Sequence, residues 1–166
     1  MNLSIDIQKA CASEDSPDED SITRWVSAAI RDERDDSELS IRIVDELESG
    51  ELNQRYRGKS GATNVLSFPC DAVTPEPLPL LGDLVICAPV VAREAQQQHK
   101  TPQAHWAHIV IHGVLHLLGY DHIEDSDAEC MEDLETAIML KLDFPPPYRT
   151  LDESSDDPVA VMSNHK

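Results

Sequence analysis

The stretch "TPQAHWAHIVIHGVLHLLGYDH", residues 101–122, decides the reading of this chain. Thr101 followed by Pro102 marks a helix start, because threonine accepts a hydrogen bond from an orphan backbone N–H and proline at the first helical position has none to satisfy. The spacing predicts a helix running to about Leu118, stopped by Gly119. Four residues make slightly more than one turn, so His112 and His116 project from one face, as two ligands of one metal ion must. Gly119 lets the chain leave the helix through a left-handed turn, and His122 can then swing back toward the same ion. Three neutral imidazoles would leave Zn²⁺ its full charge and one open position, which is the catalytic pattern. His105 lies two turns from His112, too far to share its ion. His108, at i−4 from His112, is either a spectator or a group that orients a ligand from behind, and Asp83 and Asp121 are further candidates for that role. A histidine stripe facing solvent or a partner is the plainer alternative, and the glycine turn with a third histidine weighs against it.

The spacing His112-x3-His116-x2-Gly119-x2-His122 is also that of the metzincin proteases, whose second position is glutamate. Here Gly113 stands there, which removes the usual base for peptide hydrolysis. A metal can still lower the pKa of bound water to about 7 and polarise a bound oxygen. A phosphodiester suits that chemistry if a second cation is at hand. The interval Asn53–Cys70 contains no acid, and Arg55, Arg57 and Lys59 make it locally basic. Its "GKS" at 58–60 is not a phosphate-binding P-loop, since that motif needs glycine at 53, where Asn53 stands. These three cations are either ordinary surface charges or a phosphate contact.

The remainder of the chain is acidic, with a formal net charge of −19 over 166 residues. Half of the acids crowd into 14–20, 124–135 and 152–157. Such a charge repels naked nucleic acid and suits basic partners. The length fits one domain. We expect it to span 1–149, with an acidic, disordered tail over 150–166. No basic-then-apolar leader and no apolar run near the ~18 residues of a membrane span is visible, so a cytoplasmic protein without membrane attachment is expected. Cys11, Cys70, Cys87 and Cys130 are widely spaced without a CxxC and read as buried, reduced thiols.

Around the histidine helix the pattern alternates strands with helices. Leu3, Ile5 and Ile7 alternate as in a half-buried strand, as do Leu39, Ile41 and Ile43. Ile22, Trp25, Val26, Ala29 and Ile30 recur at helical spacing behind an Asp20 or Ser21 cap. "ESGELNQRYRG" predicts a short helix closed by Gly58, and "TNVLSFP" a strand stopped by Pro69. "AVTPEPLPLL" reads as a loop and "GDLVICA" as a strand. A last helix is expected from Ser126, in capping-box form, with Met131, Leu134 and Ile138 inward.

The stretches "LNQRYRGKSGATNVLSFP", "LLGDLVIC", "AHWAHIVIHGVLHLLGYDH" and "ECMEDLETAIML" resemble the YbeY family of bacterial metal-dependent endoribonucleases, over about residues 50–142. The resemblance implies an α/β (α+β) single domain, a small mixed four-stranded sheet packed by about five helices and distantly metalloprotease-like. It implies one Zn²⁺ held by His112, His116 and His122, with Arg57 as the basic catalytic residue. The implied activity is single-strand-specific RNA cleavage in maturation of the small-subunit rRNA 3′ end and in ribosome quality control, with rRNA and the ribosome or its basic proteins as partners. Two other functions stay open: a non-catalytic ribosome-assembly factor with a structural zinc, and, less favoured without the glutamate, a zinc metalloprotease.

Overall fold

The structure, a computed structural model, describes residues 2–10, 16–30, 36–69, 80–118 and 125–145. In chain order these form β1 (Asn2–Lys9), α1 (Glu19–Ile30), β2 (Asp36–Val44), α2 (Glu46–Arg57), β3 (Val65–Pro69), β4 (Leu80–Cys87), α3 (Ala88–Gln97), α4 (Pro102–Leu117) and α5 (Asp125–Lys141). The four strands make one mixed sheet in the order β1-β2-β4-β3, in which β2 runs parallel to both β1 and β4 and β3 is antiparallel to β4. The expected α/β single domain with a four-stranded mixed sheet and five helices is therefore present.

The period-two pattern of the strands sorts their residues between two faces. Leu39, Ile41 and Ile43 of β2 and Leu84 and Ile86 of β4 enter the main core with α1, α4 and α5. The alternate residues Val44, Val85 and Cys87, with Leu66 of β3, form a smaller cluster on the other face beneath α2. Thus α4 and α2 lie on opposite faces of the sheet. Helix α4 is buried almost all the way round, from Ala104 to Leu117, which is the signature of a central helix rather than a surface one. It packs against α1, α3, α5 and β3.

Local signals explain most element ends. Thr101 accepts from the Ala104 N–H at 3.1 Å. Asp45 caps α2 by accepting from the Glu48 N–H at 3.0 Å, and Gly58 closes that helix at φ 67°, where a side chain would be strained. Other expectations need correction. Asp18, not Asp20 or Ser21, caps α1, because its carboxylate accepts from the Ser21 N–H at 2.9 Å. Helix α5 begins at Asp125, one residue before the expected start at Ser126. Met131 and Ile138 are buried as expected and Leu134 is partly buried. Strand β4 starts two residues before Gly82, inside the proline-rich stretch. Helix α3 had no counterpart in the sequence reading. Cys87 is buried, whereas Cys130 is exposed on α5 and departs from the buried-thiol expectation. Cys11, Cys70, most of the proline-rich loop, Gly119 to His122 and the acidic tail lie outside the described residues. No helix among the described residues is long and apolar enough to cross a membrane.

Candidate metal centre

The central helix α4 carries four histidines at 105, 108, 112 and 116, and the helices beside it supply carboxylates. His112 and His116 are one turn apart, and their Nε2 atoms approach to 3.1 Å. Two nitrogens each ~2.0–2.1 Å from one tetrahedral ion would stand ~3.3 Å apart, so this pair already has the spacing of two ligands. The opposite nitrogen of the same ring, His112 Nδ1, lies 2.6 Å from Glu135 Oε2 on α5. His108 Nε2 lies 3.3 Å from that same oxygen. His108, His112 and Glu135 together form a group whose ligand atoms all lie within 4.8 Å of one another and could hold a metal ion. Chemically the site offers imidazole and carboxylate, a donor set that suits zinc and its neighbours in the first transition row.

Burial governs the electrostatics. Glu135 is fully buried at 0 % exposure. Burial alone would push its carboxyl up, but the contacts with His108 and His112 outweigh it and hold the group well below the usual carboxylate range. Burial pushes His108 down to about 4, although Glu135 beside it pulls the other way, so at neutral pH the ring is uncharged. A second pair lies further back, where the buried His105 Nε2 meets Oε1 of the half-buried Glu94 of α3 at 2.9 Å. The Asn64 side-chain amide donates to the same carboxylate at 3.1 Å. These contacts tie α3, the approach to β3 and α4 together behind the centre. The histidines are thus no solvent-facing stripe, since His105 and His108 are both buried.

Gly113 faces away from the centre. A Cβ placed there would come within 2.8 Å of Leu84 Cδ2 and 3.4 Å of Val65 Cγ2, and Ser67 Oγ donates to the Gly113 carbonyl at 3.4 Å. The residue is glycine because the helix lies directly on the sheet at this point. A glutamate at this position would enter the core between α4 and β4, so the absent protease base is explained by packing.

Of the residues singled out in the sequence, the structure brings His112 and His116 together, and His108 stands behind them against Glu135. His122 lies outside the described residues, as does Asp121. Asp83 is exposed on the sheet face turned away from α4, where it accepts from the Ser40 hydroxyl, so it does not orient the histidines. Arg57 is exposed in the last turn of α2, with Arg55 in the same turn. The neighbouring Tyr56 rests edge-on against Phe68 of β3 at 5.1 Å between ring centroids. Because Val65 of the same strand faces Gly113, α2 and α4 flank the two sides of edge strand β3. Glu135 was missed in the sequence. Its signal was an acid in register with the inward positions Met131 and Ile138, which the acidity of the surrounding segment hides.

Fold and centre together describe an α/β protein built on a central helix whose imidazoles, with one buried carboxylate, can hold a metal ion. The chain belongs to the endoribonuclease YbeY family, whose profile matches residues 6–143. This is a family of hydrolytic endoribonucleases with a role in rRNA maturation. The chain is also similar to the solution structure of TM1509 from Thermotoga maritima, at 26% sequence identity and a TM-score of 0.54, over 84% of this chain and 91% of that one.

Proposed function

We propose that the protein is a zinc-dependent endoribonuclease that cuts single-stranded RNA in the cytoplasm, in maturation of the small-subunit rRNA 3′ end and in ribosome quality control. The observation that carries this reading is the convergence of His112 Nε2 and His116 Nε2 at 3.1 Å, on the helix of an endoribonuclease-family fold. His112, His116 and His122 would hold the ion, His122 from the chain beyond the helix. Bound there, zinc would supply Lewis acidity and a lowered pKa for water at a site with one open position.

The chain's own residues supply the rest. His112 and His116 present ring nitrogens from a helix packed on several sides, so little rearrangement accompanies binding. Arg57 is free of any helix or sheet burial, and its planar donors suit phosphoryl oxygens in the charged transition state. Its basic neighbours Arg55 and Lys59 extend a surface for the RNA backbone within an otherwise repulsive chain. The charge of −19 supports basic ribosomal proteins as the partners that bring RNA and enzyme together. Cleavage of a single-stranded RNA should be compared for wild type, His116→Ala and Arg57→Ala at equal total metal. Loss of cleavage in both variants is expected, and undiminished cleavage by both would sink the assignment.

A further inference from the structure

We propose that Glu135 is a positioning residue for the metal rather than one of its ligands: it holds the proton of His112 on Nδ1 and thereby aims a bare Nε2 at the ion. This rests on the reading of His112 and His116 as ligands. It reaches further, because it assigns a role to a buried carboxylate on a different helix.

Glu135 has no exposure and sits on the inward face of α5, in register with Met131 and Ile138. A carboxylate so placed must find donors within the protein, since water cannot reach it. Two imidazoles of α4 meet one of its atoms, Oε2: His112 Nδ1 at 2.6 Å and His108 Nε2 at 3.3 Å. The shorter distance is that of a strong, charge-assisted hydrogen bond, in which the imidazole N–H donates and the carboxylate oxygen accepts. An imidazole protonated on Nδ1 and neutral overall carries its lone pair on Nε2. That atom is the one facing His116 Nε2.

Direct ligation by Glu135 fits less well. An ion bound to both Glu135 Oε2 and His112 Nδ1 would break the 2.6 Å contact and would have to use the ring nitrogen turned away from His116. It would also lie deeper in the fold, between His108 and Glu135, which are both buried. A carboxylate behind a ligating imidazole fixes ring orientation and tautomer and raises the basicity of the nitrogen that binds. Loss of such a partner typically costs 10–100-fold in metal affinity. His108 completes the arrangement by approaching Oε2 from one turn further back, with its ring 6.1 Å from that of His112.

The test is a zinc affinity measurement by chelator competition on the full chain, for wild type, Glu135→Gln and His116→Ala, with cobalt(II) spectra of each. Glutamine keeps the shape and an acceptor oxygen but loses the charge, and thermal melting in chelator shows whether it folds. We expect Glu135→Gln to bind about 10-fold or more weakly, while its cobalt spectrum keeps the wild-type band positions and intensity because the ligand set is unchanged. Wild-type affinity in Glu135→Gln, or an altered cobalt coordination spectrum, would overturn the proposal. His116→Ala separates the two levels: unchanged affinity there refutes the ligand assignment itself. Histidine nitrogen NMR on the metal-free protein reads the tautomer directly. His112 is expected to be protonated on Nδ1 in wild type and to mix tautomers in Glu135→Gln. If Glu135→Gln does not fold, a wild-type His112 protonated on Nε2 would still refute the idea, and one protonated on Nδ1 would support it.

Discussion

Replacing Gly113 by alanine tests how the histidine helix is seated on the sheet. Away from neighbours, glycine to alanine in a helix interior would stabilise by about 1 kcal/mol. Here the new Cβ would stand 2.8 and 3.2 Å from the two methyls of Leu84, a residue with no exposure. Overpacking of this kind costs about 1–3 kcal/mol, which offsets that gain or exceeds it, so Gly113→Ala should destabilise by up to about 2 kcal/mol. The sign should reverse when the obstacle is removed. Leu84→Ala alone should cost about 2–5 kcal/mol through lost burial and a cavity. In that background Gly113→Ala should stabilise by about 1 kcal/mol, since the Cβ enters vacated space and the helix preference is recovered. The coupling between the two sites is then about 1–3 kcal/mol, above the few tenths that unconnected residues show. Equilibrium urea unfolding of the four proteins in chelator measures it. Additive effects, or a stabilising Gly113→Ala in the wild-type background, would refute the account of why glycine occupies the protease-base position.

Two further outcomes concern the groups packed around α4. For Glu94, burial raises the carboxyl pKa, but the contacts with His105 and Asn64 prevail and the pKa is lowered from 4.5. The stability it contributes is therefore present above about pH 4.5 and lost as pH falls through the lower folded value. Glu94→Gln should be most destabilised relative to wild type near neutrality, with the gap shrinking in acid; urea midpoints at pH 7 and pH 3.5 measure it, and a constant gap would count against the linkage. For the metal, saturation at about 100 times Kd should stabilise the fold by about 2.7 kcal/mol. On a chain of this size that is a thermal shift of roughly 5–10 °C. Chelation should abolish the shift, and His116→Ala should not show it.

Much of this architecture was legible because the deciding signals are local. Thr101-Pro102 opens α4, Gly58 closes α2, and the alternations of Leu3, Ile5, Ile7 and of Leu39, Ile41, Ile43 mark β1 and β2. Helix α3 was hidden because it follows β4 without a break, and Pro89, in its first turn, reads as a stop until the helix is seen to start there. The spacing of His112 and His116 gave the pair, since it depends only on helical pitch. The carboxylates behind it were illegible for a different reason. Glu94 and Glu135 look like solvated acids in a chain full of them, and only packing against His105, His108 and His112 shows otherwise. Gly113 was read as the absence of a base, whereas its cause lies in the side chains of Leu84 and Val65, far away in sequence.

The most direct measurement is a titration of the metal-free protein with zinc, recording bound ion and cleavage of precursor rRNA within ribosomes in the same samples. Cleavage is expected to rise in proportion to occupancy and to saturate at one ion per chain. Full cleavage by protein stripped of metal would contradict this.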